Sequence, residues 1–159
     1  TAAGVTQPIP FLWAWGVGGI IGAFTVGALI DRASGATRVM PFVAALLMVA
    51  TAAIVPAGTV LFAVAIAVGC WGAAGFASPP PQQHLILERA ADRGTVAVAA
   101  NSSAIYLGGA IGSGLAGIAL HLGLTAAALP VIASAFAAAA LIVYLVFVAR
   151  DRAPVVGND

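Results

Sequence analysis

Few side chains in this 159-residue sequence can take part in bond-making chemistry. The ionisable groups are Asp31, Arg32 and Arg38, then His84, Glu88, Arg89, Asp92 and Arg93, then His121, and finally the acids and arginines from Arg150 onward. An enzyme site needs a nucleophile with a base, a carboxylate pair or a metal-ligand set, and no such combination stands within an apolar stretch. Cys70 is the single cysteine, so no intrachain disulfide and no CxxC metal spacing exists, and it reads as a small buried hydrophobe. Gln82-Gln83-His84 has no second ligand cluster, and His121 reads as an interfacial residue. The expectation is therefore a protein that is not an enzyme, with no metal and no cofactor.

What remains are polar and aromatic groups inside otherwise apolar segments: Gln7, Trp13, Trp15, Trp71, Asn101, Ser102, Ser103 and Tyr106. In lipid such groups prefer a partner or water, so they mark candidate substrate paths. Trp71, Asn101, Ser102 and Tyr106 are the strongest of them. Asn101 stands one turn into an apolar segment with Tyr106 five residues deeper, and both are expected to face the bundle interior. Trp13 and Trp15 fall near a segment end, where an interfacial aromatic belt is common.

These groups need elements to hold them, and composition dictates which kind. The chain is 62% hydrophobic and 7% charged, against roughly a quarter charged residues in ordinary soluble domains, and its mean hydropathy is +1.11. That is too little charge to solvate a globular surface. A net charge of +1, from six arginines and five acids, supplies no basic field for a nucleic-acid backbone, so nucleic acid is not expected as a partner and the lipid bilayer is.

A helix crossing the hydrocarbon needs about 20 apolar residues, and a charge at its centre costs roughly 2.5–3.5 kcal/mol. The charges therefore mark the loops. Five spans follow: 9–30, 39–55, 59–78, 96–120 and 126–149, an all-α polytopic bundle. Pro56-Ala57-Gly58 divides the second from the third. Pro79-Pro80-Pro81 ends the third, since proline lacks an amide donor and restricts its predecessor. Residues 31–38 and 82–95 read as polar loops, the latter with a short interfacial helix, and 150–159 as a polar tail.

Short cytoplasmic loops collect Arg and Lys. Arg32, Arg38, Arg89, Arg93, Arg150 and Arg152 all lie in the first loop, the third loop and the tail, which alternation of five spans puts on one side. The implied topology has the N-terminus outside and the C-terminus in the cytoplasm, in a cell inner membrane. The opening Thr1-Ala2-Ala3-Gly4 has no initiator Met and no leader-like pattern, and with an odd span count it leads to the expectation of a longer protein.

Helix association in lipid depends on close backbone approach, for which small residues four apart provide the groove. Gly18 and Gly22, with Gly19, Ala23 and Gly27, repeat that spacing in the first span. Gly108 and Gly112, with Gly109, Ser113 and Gly117, repeat it in the fourth, and Gly69, Gly72 and Gly75 line the third.

The run Gly16-Val17-Gly18-Gly19-Ile20-Ile21-Gly22, then Gly27-Ala28-Leu29-Ile30-Asp31-Arg32-Ala33-Ser34-Gly35-Ala36-Thr37-Arg38, resembles the Gly-x-x-x-Asp-Arg-x-Gly-Arg signature of the major facilitator superfamily. Pro81-Gln82-Gln83, Ala90-Ala91-Asp92-Arg93-Gly94 and Asn101-Ser102-Ser103-Ala104-Ile105-Tyr106-Leu107-Gly108-Gly109-Ala110-Ile111-Gly112 are similar to the tenth-to-eleventh helix region of its drug and sugar (arabinose-efflux-like) branch. The family pattern has one residue between its Asp-Arg pair and its glycine, whereas here Ala33 and Ser34 both intervene and Arg38 is displaced.

The resemblance implies that the five spans correspond to helices eight to twelve of a twelve-helix transporter, a piece of its C-terminal half. It implies efflux of small molecules by alternating access, with Gly27, Asp31, Arg32, Gly35 and Arg38 as the cytoplasmic loop motif. In the family the loop acid caps a helix of the opposite half, so Asp31 would have its partner in an N-terminal transporter half. No Asp or Glu lies inside a span, so if protons are the coupling ion their carrier lies in that other half too. The contrasting expectation is a non-transporting scaffold or assembly subunit, complete with five packed helices.

Overall fold

The structure is a computed structural model that describes residues 9–58 and 60–151. Those residues form six α-helices: α1 (Ile9–Arg32), α2 (Ala36–Ala53), α3 (Leu61–Ala77), α4 (Pro79–Ala90), α5 (Gly94–His121) and α6 (Ala128–Asp151), with a 3-10 turn at Ala91–Arg93 before α5. Five helical stretches are long and apolar enough to cross a membrane, α3 and α4 together forming one of 30 residues. The architecture is an all-helical transmembrane bundle. The start of the third span at Thr59, Gln7, and the tail beyond Asp151 lie outside the described residues.

The polar loops are shorter than the charges alone suggest. Residues 31–38 are not all loop: α1 continues through Arg32 and α2 begins at Ala36, leaving Ala33-Ser34-Gly35 as the turn. Charged side chains at a helix end can project beyond the hydrocarbon while the backbone stays helical. Residues 82–95 contain a short helix, as expected: α4 runs through Ala90, and α5 opens at Gly94. The three prolines do stop α3, with a bend at Ser78 whose Oγ donates to the Gly75 carbonyl at 2.9 Å. They also form the first turn of α4, where the missing amide would have had no intrahelical partner in any case.

The densest packing joins α1 to α3. Gly18 lies against the backbone of Gly69, Gly22 against that of Ala73, and Gly72 against the carbonyl of Trp15. A methyl at any of these positions would collide with main-chain atoms, which have little room to give. Phe76 covers Gly19, where an added Cβ would stand 2.7 Å from its Cδ2. Gly18–Gly69 leads to Gly22–Ala73, and Trp15–Gly72 to Gly19–Phe76, so α1 and α3 run parallel. Beyond the seam, Val26, Val39, Val43 and Ala77 form a buried cluster flanked by Ile30 and Ala33, which joins the end of α1, the start of α2 and the end of α3.

The second large contact is α2 with α6. Pro41 lies inside α2, and without an N–H it cannot bond the Thr37 carbonyl one turn back. The Tyr144 hydroxyl of α6 donates to that carbonyl at 3.0 Å, so a residue 107 positions away supplies the missing donor. This bond sets the last turns of α6 beside the first turn of α2. Because α3 ends next to α1, Arg32, Arg38, Arg89, Arg93 and Arg150 are gathered toward one end of the bundle.

The small residues of α5 behave differently from those of α1. Gly108, Gly109, Gly112, Gly114 and Gly117 have nothing within 4 Å of an added Cβ, and the helix that α5 contacts most is α4. The expectation of tight contact through the fourth span is thus not met by the helices described here.

Two substitutions test this account. Gly22→Val should destabilise the purified chain in detergent by about 3 kcal/mol through overpacking, while Gly75→Ala, at a glycine with open space around it, should be neutral or stabilise by about 0.5–1 kcal/mol; thermal unfolding would show both. Tyr144→Phe should cost about 0.6–1 kcal/mol, read as a lower melting midpoint, with no loss expected when α2 also carries Pro41→Ala.

Candidate functional site

The α1–α2 turn, which holds the loop motif, is built from its backbone outward. Ser34 has φ 57° and Gly35 has φ 132°. The Gly35 amide donates to the Ile30 carbonyl at 3.0 Å and the Ser34 amide to the Asp31 carbonyl at 3.3 Å, the paired bonds of a Schellman cap. The left-handed position therefore falls on Ser34, where the signature places its glycine, two residues after the arginine. The extra residue before Gly35 leaves the turn intact but puts a side chain in a conformation that favours glycine. Arg38 donates from Nη1 to the Ala33 carbonyl at 3.2 Å, so the displaced arginine closes the end of α1 from the first turn of α2. Asp31 and Arg32 are exposed, and Gly27 has open space around it. Asp31, Arg32, Gly35 and Arg38 thus lie in or beside the α1–α2 turn, and Gly27 lies one turn further back in α1.

Among the substrate-path candidates the structure does not make one cluster. Trp71 lines a cavity of about 790 Å³ bounded by Leu47 and Thr51 of α2, Gly108, Ile111, Gly112 and Leu115 of α5, and Leu129, Ile132 and Phe136 of α6. Trp71 also meets Trp15 at 6.4 Å between ring centroids, and Trp15 meets Phe76 edge-on at 5.1 Å. Trp15 is therefore part of the α1–α3 seam rather than a belt residue, its ring half-buried. Trp13 is 71% exposed, as an interfacial aromatic would be.

Asn101 is partly buried, and its Nδ2 is shielded from solvent without a hydrogen-bond partner, so it faces inward as expected. Ser102 is partly buried beside it, while Ser103 is exposed and donates to the Ala99 carbonyl at 3.0 Å. Tyr106 does not face the bundle: it is 80% exposed. Five residues are about one and a half turns of helix, which turns Tyr106 away from the face that carries Asn101.

Sequence reading passed over Thr51. It is buried, and its hydroxyl donates to the Leu47 and Met48 carbonyls at 2.8 and 3.0 Å, so it contributes no free donor to the cavity wall. That wall is apolar, suited to hydrocarbon or an apolar helix rather than to a charged solute. A threonine inside an otherwise apolar span was the available signal. At the α4 surface, His84 Nδ1 lies 3.1 Å from Glu88 Oε1, one turn apart with both side chains about half exposed, a surface pair of small energetic weight. Among the described residues no group of three or more His, Cys, Asp or Glu side chains is gathered.

The chain is 34% identical over 139 residues, 87% of its length, to the inner membrane transport protein YdhP of Escherichia coli O157:H7, and equally to YdhP of strain K12. It is similar to part of a membrane transport protein. The matched stretch is 35% of the length of those relatives, so the chain spans about a third of the curated proteins it matches. No family model matches the sequence, and no solved structure matches it.

The turn geometry gives a direct expectation. Ser34→Gly should stabilise the chain by about 0.5–1 kcal/mol by relieving the left-handed side chain, whereas Gly35→Ala, at φ 132°, should destabilise it; paired unfolding curves in detergent would separate the two.

Proposed function

We propose that this chain is the working C-terminal portion of a secondary transporter of the major facilitator type, which exports small molecules across an inner membrane by alternating access. The observation that carries the reading is the 34% identity over 87% of the chain to an inner membrane transport protein, in a sequence whose five long apolar helices fit the same kind of protein. On this reading the helices are the eighth to the twelfth of twelve, and the arginine-bearing end faces the cytoplasm, as the placement of cationic residues favours.

The seam between α1 and α3 suits such a motion. Its backbones touch through glycines, so the two helices can move as one body with few side chains to repack when the halves rock. Drug, sugar or metabolite export is the substrate class that the resemblance of the 81–112 region favours. Asn101, with its unsatisfied amide, and Trp71 are the residues offered to a substrate. Asp31 is offered to a helix N-terminus of the other half, with coupling to protons assigned there as well.

The test uses the whole polypeptide as its gene encodes it, reconstituted in proteoliposomes with an imposed pH gradient and a panel of labelled drugs and sugars. Gradient-driven movement of one or more substrates is expected, and its absence across the panel, in protein shown to be folded, would sink the reading in favour of a scaffold role. Asp31→Asn should lower transport several-fold, since a carboxylate at a helix terminus contributes about 0.3–1 kcal/mol and up to about 2 when partly buried. The melting midpoint should not move, because Asp31 is exposed in this chain.

A further inference from the structure

Three consecutive prolines change what the backbone of the third span offers. In a continuous helix the carbonyls of Gly75, Phe76 and Ala77 would accept from the amides four residues on, but those positions are Pro79, Pro80 and Pro81, which have no N–H. The Ser78 hydroxyl answers the Gly75 carbonyl at 2.9 Å. The Phe76 and Ala77 carbonyls have lost their intrahelical partners. They follow one another at the bend between α3 and α4, inside an apolar stretch of 30 residues, where a carbonyl without a donor is costly.

A donor without a partner lies at the same level. Gly94 opens α5 against Leu87 of α4, whose Cδ2 would stand 2.8 Å from an added Cβ, so α5 turns back along α4. The residues at the start of α5 that are withdrawn from solvent are Gly94, Ala97, Val98, Asn101 and Ser102. That is the spacing of one helix face, and α4 is the helix that α5 packs on. Asn101 is seven residues beyond Gly94 and Pro80 is seven before Leu87, so with equal rise per residue the two stand level. Ser103 to Leu115 are exposed, so the covered face of α5 ends where α4 gives way to α3. Asn101 Nδ2 is shielded there without a hydrogen-bond partner. The bend therefore gathers two backbone acceptors and one side-chain donor, none of them charged.

We propose that the α3–α4 bend is a binding site for a neutral solute that presents hydroxyl groups, which donate to the Phe76 and Ala77 carbonyls and accept from Asn101 Nδ2. The proposal deepens the transporter reading and rests on it for the ligand being the transported molecule. A hydroxyl both donates and accepts, which is what this set requires. An ammonium group only donates and leaves the Asn101 amide unanswered, and a carboxylate only accepts and would face two carbonyl oxygens. A hydrocarbon would leave all three groups unmet. The charged side chains of α4, His84, Glu88 and Arg89, come after the bend, toward the arginine-bearing end. A span without an ionisable group can thus hold a polar molecule, because the prolines turn main-chain carbonyls into its acceptors.

Replacing a proline tests this without removing a polar side chain. Pro80 is exposed, and Pro80→Ala restores the N–H that would occupy the Phe76 carbonyl; Pro81 is fully buried and stays in place. Pro79→Ala is the control, since its N–H would serve the Gly75 carbonyl that Ser78 already serves. Tritiated glycerol, erythritol, xylitol and mannitol are bound to the purified polypeptide as its gene encodes it, by scintillation proximity, with butylammonium as competitor. At least one polyol is expected to bind and to resist butylammonium. Pro80→Ala and Asn101→Leu should each weaken it several-fold, and together about tenfold, with Pro79→Ala as the parent. Asn101→Leu removes an unanswered polar group, so its melting midpoint should not fall, and it decides the matter if Pro80→Ala does not fold. No polyol bound by folded protein, tighter binding of butylammonium, or unchanged polyol binding in a folded Pro80→Ala or Asn101→Leu variant would overturn the proposal. Gradient-driven movement of other compounds with no polyol bound would leave the transporter reading standing, whereas polyol binding without movement would count against transport alone.

Discussion

The fold depends on backbone meeting backbone at the α1–α3 seam. In water, two apolar helices are driven together by the surface they hide, but lipid tails are as apolar as leucine and that drive is absent. What remains is dispersion between closely packed atoms, which falls off steeply with a gap of half an ångström. Gly18, Gly22 and Gly72 remove the side chains that would enforce such a gap, and Phe76 fills the shallow groove over Gly19. The buried cluster of Val26, Val39, Val43 and Ala77 then forms where the seam meets α2. The rest of the bundle, from the α1–α2 turn to the position of α4, is placed relative to this pair.

The lipid surroundings also account for two places where polar groups complete the backbone's hydrogen bonds. A carbonyl left without a donor in lipid is costly, and Pro41 leaves the Thr37 carbonyl in that state. Tyr144 answers it from α6, converting a helix defect into a contact between distant parts of the chain. At the end of α1 the carbonyls are answered locally by the amides of Ser34 and Gly35 and by Arg38. In both cases a polar group serves the backbone, whereas the Asn101 amide is shielded from solvent without a partner.

The helices were legible in the sequence because charge and proline are excluded from the hydrocarbon for strong physical reasons, and those reasons act residue by residue. The small-residue face of α1 was legible for the same kind of reason, since Gly18 and Gly22 have few uses at that spacing other than close approach. Helix ends were less so, because Asp31 and Arg32 can be charged and helical at once, and because Pro79 begins one helix as readily as it ends another. Tyr106 could not be oriented from its spacing to Asn101 without knowing which face of α5 is covered. Trp15 was ambiguous because a membrane border and a helix seam both favour a large ring.

The contrast between α1 and α5 shows where such reading runs out. The two helices carry nearly the same glycine pattern, so local sequence assigns them the same behaviour, yet one is closed by α3 and the other opens on a cavity. Propensity and composition cannot distinguish them, because a helix face is defined by its partner as much as by its own residues.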